Sequence, residues 1–97
     1  MPSSLSRSSV EEELRRETLR WLDRLEERLK DVEHANEKGR EFLTNIRAYV
    51  SDSKYFLSKD DLVRAFECVV WAWAWLEIGM DLGIIQSRSR ANRYPHE

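Results

Sequence analysis

Residues that interrupt helices are almost absent from the middle of this chain. Its two prolines stand at Pro2 and Pro95, and only three of its 97 residues are glycine. Proline breaks a helix interior, and glycine costs a helix about 1 kcal/mol relative to alanine, so few positions here favour ending a helix. The sequence therefore predicts long helices.

Composition is typical of a single globular domain. Apolar residues make up 41% of the chain and charged residues 35%, which suits amphipathic helices with one dry face and one solvated face. A chain of 97 residues supplies one hydrophobic core. We expect a disordered N-terminal segment at 1–8, a helical bundle domain over 9–85 and a flexible basic tail over 86–97.

Capping and turn residues predict where the helices begin and end. A capping box from Ser9 to Glu12 begins the first helix, and the weak helix formers from Asn36 to Gly39 end it. A second turn at 58–61 supplies the N-cap of the last helix. A first helix that continues through Gly39 is the alternative. The predicted fold is all-α, a three-helix antiparallel bundle with helices at about 10–36, 40–57 and 61–84.

Apolar residues recur every three or four positions on one side of each predicted helix, as expected for sides that form a common core. These sides comprise Val10, Leu14, Thr18, Leu22, Leu25, Leu29 and Val32 on the first helix, Phe42, Ile46, Tyr49, Ser53 and Phe56 on the second, widened by Leu43, Val50 and Leu57, and Leu62, Phe66, Val69, Trp73, Leu76 and Met80 on the third.

The last predicted helix is apolar on its opposite side as well. That side begins with charge at Arg64 and Glu67 and then carries large apolar residues. A helix that is apolar all round is either central in a bundle or covered by another chain. We therefore predict a non-catalytic, self-associating interaction module, a homo-oligomer whose interaction face comprises Trp71, Trp75, Ile78 and Leu82.

From Tyr55 onward, a Tyr-Phe-Leu segment leads through an acidic cap into a Trp-rich helix that ends in glycine and aliphatic residues. The segments that carry this pattern are Tyr55–Leu57, Asp60–Asp61, Val63–Glu67, Val70–Ala72, Trp75–Glu77, Gly79 and Leu82–Ile84. The pattern resembles the short archaeal proteins of the domain of unknown function 357 family. The resemblance is specific over the C-terminal third and general over the first two helices. It implies a compact helical fold in a prokaryotic cytoplasm, with no activity attached.

Motifs for catalysis and cofactors are missing from the sequence. No phosphate-binding loop, Cys/His metal spacing or Ser-His-Asp arrangement can be assembled. His34 and His96 lie on a charged helix and in the tail, so they give little support for general base chemistry. The lone Cys68 fits a small core or interface residue better than a nucleophile. We expect a protein that is not an enzyme and holds no metal or cofactor.

Two carboxylates give the chain its main chemical signal. Glu77 and Asp81 are four residues apart, which places both on one helix edge beside the apolar seam. The favoured interpretation is structural, with Glu77 partly buried and hydrogen-bonded to Arg47 or Tyr49. A small-molecule or metal site at the pair is the alternative, although bundle metal sites use several inward-facing carboxylates.

Basic residues cluster in the C-terminal tail. Arg88, Arg90 and Arg93 are the candidate nucleic-acid contacts, and they support an alternative function as a nucleic-acid-associated accessory protein. The formal net charge of -2 gives no global basic field, so this function would need a second basic surface on the folded domain. Protein contact is therefore the favoured hypothesis.

A membrane role is not expected from the sequence. The apolar run Cys68–Leu76 is shorter than the roughly 20 residues of a spanning helix. Residues 1–9 carry no apolar run long enough for a signal peptide. These features predict a cytoplasmic protein.

Overall fold

A computed structural model describes residues 2–88 of the protein, including the side chains from residue 9 onward. This part of the backbone forms three long helices and one small sheet of two strands. The predicted all-α bundle is confirmed, and the sheet is an addition to it. The elements in chain order are α1 (Pro2–Leu29), β1 (Val32–His34), α2 (Glu37–Ser58), α3 (Leu62–Asp81) and β2 (Ile85–Ser87).

Helix α3 packs against both α1 and α2, and its contact with α2 is the more extensive. Small residues allow this close approach, because Ala65, Ala72 and Gly79 of α3 are all buried. Most of the core positions lie on the predicted apolar sides of the helices. The buried core comprises Leu22, Leu25, Val32, Leu43, Ile46, Val50, Val69, Ala72, Leu76 and Ile85.

An aromatic cluster joins α1 to α3. The ring of Trp21 meets the rings of Phe66 and Trp73 edge to face, each at a centroid distance of 6.2 Å. The Trp73 indole N–H donates to the Trp21 carbonyl oxygen at 3.1 Å. Trp73 is thus a packing residue with a satisfied polar group, as its position on the predicted core side indicates.

Helix α1 differs from its predicted bounds at both ends. It begins at Pro2, because proline is well tolerated in a first turn and serine costs a helix little, so the Ser9 capping box does not start it. It ends at Leu29 instead of about residue 36. A turn at Lys30 and Asp31 then leads into β1. The predicted boundary between segment 1–8 and the domain stays a prediction, since side chains 2–8 lie outside the described part.

The break between the first two helices spans residues 30–36, so it begins before the predicted turn at 36–39, and Gly39 has a different role. Asn36 is the N-cap of α2, and its side-chain oxygen accepts from the Gly39 N–H at 2.9 Å. Gly39 is therefore inside the first turn of α2. The alternative of an unbroken helix through Gly39 is wrong.

The flexible tail was predicted to begin at residue 86, but residues 86 and 87 belong to β2. The two strands pair antiparallel, with Val32 opposite Ser87 and His34 opposite Ile85. Helix α3 ends at Asp81 instead of residue 84, and Gly83 adopts a φ of 77° in the turn that follows. A strand of three residues has too little periodicity to be recognised in a sequence. Residues 89–97 lie outside the described part of the chain.

No helix within the described residues is long and apolar enough to cross a membrane.

Candidate interaction face of helix α3

One side of α3 is left uncovered by α1 and α2. Five large apolar residues lie there within an arc of about 120°, at 100° per residue. Val63 is 65% exposed, Trp71 54% and Leu82, which caps the helix, 65%. We define the outer face of α3 as Val63, Val70, Trp71, Ile78 and Leu82.

The outer face concentrates the exposed apolar side chains of the domain. The other large apolar residues exposed in the described chain are Val10 and Leu19 on α1 and Tyr55 on α2. Val10, predicted for the core side of the first helix, is 63% exposed and lines a pocket together with Val63 of the outer face. Scattered apolar residues are normal on a protein surface, whereas a contiguous stripe marks an interaction site. The stripe on α3 is therefore the candidate functional site.

Three of the four predicted interface residues lie on this face, and the fourth packs inward. Trp75 is half-buried, and its ring meets Phe42 of α2 edge to face at a centroid distance of 5.0 Å. Its indole nitrogen is buried and has no hydrogen-bond partner within the described residues. The prediction missed Val63 and Val70, although their seven-residue spacing places both on one side of a helix.

Charged residues frame the outer face unevenly. Glu77 and Asp81 lie toward the C-terminal end, whereas Arg64 lies near the N-terminal end and donates to Asp61 at 2.9 Å. Ala74 lies half-buried near the middle of the same side. The face is thus acidic toward its C-terminal end, whereas its N-terminal half carries the Arg64–Asp61 ion pair and the exposed carboxylate of Glu67.

The structural interpretation of Glu77 is wrong. Glu77 and Asp81 are both exposed, and within the described chain Glu77 forms no hydrogen bond or ion pair with Arg47 or Tyr49. The error arose because Glu77 lies at the edge of the outer face, which stays open to solvent. The described residues also contain no group of three or more His, Cys, Asp or Glu side chains that could hold a metal ion.

Cys68 lies half-buried on α3 between the outer face and α2. Burial raises the pKa of the Cys68 thiol, and the charges of Asp52 and Glu67 raise it further. A thiol with a raised pKa is a poor nucleophile at neutral pH, because the thiolate is the reactive form. The structure therefore gives Cys68 the environment of a packing residue.

Of the candidate nucleic-acid contacts, the structure describes one. Arg88 follows β2, its backbone N–H donates to the Asp31 carbonyl oxygen at 2.8 Å, and its side chain lies 3.9 Å from Glu33. Arg90 and Arg93 lie outside the described residues.

Comparison with known proteins identifies relatives without a described activity. The family model of DUF357, described as a protein of unknown function, matches residues 20–85. A crystal structure of a DUF357 protein from the archaeon Archaeoglobus fulgidus is 63% identical in sequence, with a TM-score of 0.74. The match covers 80% of this chain and 97% of the Archaeoglobus chain. A search of curated proteins found no match.

Proposed function

Because this chain belongs to the DUF357 family, whose function is unknown, we propose a function from its own surface. The proposal is a non-catalytic, self-associating module in which the outer face of α3 packs against the same face of a second copy. The observation that carries it is the exposure of Val63, Trp71 and Leu82 in one stripe.

Solvation of this stripe is costly. Each Å² of apolar surface removed from water contributes about 25 cal/mol. Five large side chains that are roughly half exposed present on the order of a few hundred Å², the size at which apolar patches mark contact sites. A partner that covers the stripe from Val63 to Leu82 would bury a strip about 28 Å long, at 1.5 Å per residue.

The sequence of the outer face fits a second copy in antiparallel orientation. A two-fold interface must be complementary to itself. With the two-fold axis midway between Trp71 and Ala74, the large Trp71 of each copy faces the small Ala74 of the other. In the same register Val63 of each copy faces Leu82 of the other and Arg64 faces Asp81, while Ile78 faces the exposed Glu67. The ends and the centre of the stripe are thus matched.

Charge also favours the antiparallel orientation. The end that carries Glu77 and Asp81 then lies beside the end that carries Arg64 and the positive N-terminal end of the α3 dipole. A parallel pair would place like charges together. The surface therefore favours a symmetric dimer over capture of an unrelated basic or acidic partner.

The test is the solution mass of the full-length protein by multi-angle light scattering across a concentration series. We expect a dimer that Trp71→Glu converts to a monomer with an unchanged circular dichroism spectrum. The matched control is Leu19→Glu, because Leu19 is 49% exposed on α1, outside the outer face, and should leave the dimer intact. A wild-type protein that stays monomeric at about 100 μM would contradict the proposal, because its dissociation constant would then exceed that of even a weak specific dimer. A dimeric Trp71→Glu variant would place the contact elsewhere.

A further inference from the structure

A groove between α1 and α2 gathers basic side chains from three separate parts of the chain. Lys30 follows α1, Arg47 lies on α2, and Arg88 follows β2. Leu29 and Val50 supply apolar lining. The groove has a volume of about 510 Å³ and involves no residue of α3.

The cationic groups of this groove are available for a ligand. Arg47 is exposed and forms no hydrogen bond or ion pair within the described residues. The side chain of Arg88 has a loose ion pair at 3.9 Å to Glu33, and Lys30 pairs with Glu27 at 3.2 Å while both stay about three-quarters exposed. Exposed ion pairs of this kind contribute at most about 1 kcal/mol, so they compete weakly with a ligand.

The acidic residue in the lining is already neutralised. Glu26 forms an ion pair with Lys54 of α2. The two side chains together add no net charge beside the groove. The groove therefore combines an apolar lining with cations that an anion can reach.

We propose that this groove binds the phosphate backbone of a single-stranded nucleic acid. Arginine presents a planar fork of N–H donors that matches phosphate oxygens, and Arg47 and Arg88 supply two such forks. The half-buried side chain of Leu29 gives a sugar or a base an apolar surface to contact. Arg90 and Arg93 continue the basic sequence directly after Arg88, which favours an extended polyanion over a single phosphate ion.

This site differs from binding by the tail alone. Arg47 is 41 positions before Arg88 in the sequence, and the fold brings both to one groove. It provides the second basic surface on the folded domain that nucleic-acid binding requires. It is also independent of self-association, because the outer face lies on α3 and the groove does not.

The test is fluorescence anisotropy of a labelled 20-nucleotide oligouridine with the full-length protein at several salt concentrations. We expect Arg47→Gln to weaken binding about three- to tenfold at low salt and to reduce the salt slope by about 0.7, the value for one phosphate contact on a single strand. Arg47→Lys should recover most of the affinity, because it keeps the charge. The control is Lys38→Gln, which also removes one positive charge from α2. Lys38 is nine residues before Arg47, and at 100° per residue this places it on the opposite side of the helix.

Two outcomes would overturn the proposal. Equal binding by wild type and Arg47→Gln would show that the groove is not the site. Absence of oligouridine binding at 50 mM salt would exclude a nucleic-acid ligand. Inorganic phosphate added at constant ionic strength could still shift the NMR resonances of the Arg47 side chain, but this would show only an anion contact and would not rescue the proposal. Displacement of bound oligouridine by millimolar inorganic phosphate, together with the Arg47→Gln loss, would support a phosphate-backbone contact.

Discussion

Gly39 and Ile84 are in direct backbone contact, and this contact joins the start of α2 to the segment between α3 and β2. A Cβ atom at Gly39 would lie 1.9 Å from the Ile84 carbonyl oxygen and 2.9 Å from its carbonyl carbon. The same Ile84 oxygen accepts from the Ala35 N–H at 2.8 Å. The Ile84 carbonyl is therefore fixed in place, and it leaves room for glycine alone at position 39.

Gly39→Ala should destabilise the protein, although alanine is the better helix former. Alanine gains about 1 kcal/mol of helix propensity, but overlap with backbone atoms costs more, and we expect a net loss of roughly 2 kcal/mol. Chemical denaturation measures this loss. Gly79→Ala is the matched control, because its Cβ would meet the end of the Ile85 side chain at 2.5 Å, which can move. An equal or larger loss in Gly79→Ala would contradict the argument.

The sequence predicted the helices well because their apolar periodicity is local. Leu22, Ile46 and Leu76 each belong to the apolar repeat of one helix, and all three are buried. The contact of Gly39 with Ile84 has no such signal, since it joins residues 45 positions apart. The sheet and the inward packing of Trp75 on Phe42 were missed for the same reason. Three outer-face residues could be predicted from the sequence, because large apolar residues are unexpected on the side of a helix that faces solvent and therefore stand out there.

Trp75→Phe should cost less stability than Trp73→Phe. Both changes remove the same atoms from half-buried positions, but the Trp73 indole N–H donates to Trp21 and that of Trp75 is buried without a partner among the described residues. A buried unpaired donor costs about 1–3 kcal/mol, and its removal offsets the lost packing. We expect the two variants to differ by about 1 kcal/mol in free energy of unfolding. A greater loss in Trp75→Phe would mean that its N–H has a partner.

A chain that ends after Gln86 should be less stable than one that ends after Arg88. The shorter chain loses the pairing of Ser87 with Val32 and the backbone bond from Arg88 to Asp31. Each such hydrogen bond contributes about 0.5–1.5 kcal/mol, so we expect a difference of about 1–2 kcal/mol. Thermal unfolding of both chains measures it. Identical transitions would show that Ser87 and Arg88 contribute nothing to stability.

Cys68 should react slowly with iodoacetamide at neutral pH. Burial and the charges of Asp52 and Glu67 raise the thiol pKa in the folded state, so the thiolate fraction at a given pH is smaller than in the unfolded chain. The reaction should accelerate with pH only above the range of an ordinary thiol, and unfolding in guanidinium should remove the difference. Asp52→Asn should lower the pKa by a small amount, because burial is the larger cause. Equal rates in the folded and unfolded protein would contradict this environment.

In the register proposed for the α3 dimer, Trp71 of one copy contacts Ala74 of the other, so substitutions at these two positions should affect dimer affinity together. Trp71→Ala removes an aromatic anchor and should weaken the dimer by at least about 2 kcal/mol, the loss typical of an interface hot spot. Ala74→Trp should also weaken it, because two bulky rings then meet where one faced a small residue.

The double variant, Trp71→Ala with Ala74→Trp, restores one large and one small residue at each contact and should regain part of the lost affinity. Sedimentation equilibrium gives the three dissociation constants, and circular dichroism checks that each variant stays folded. Losses that simply add in the double variant would mean that the two residues do not face each other, because non-interacting positions contribute independently. The contact would then need a different register, although the outer face itself would remain the interface if Trp71→Ala alone weakens the dimer.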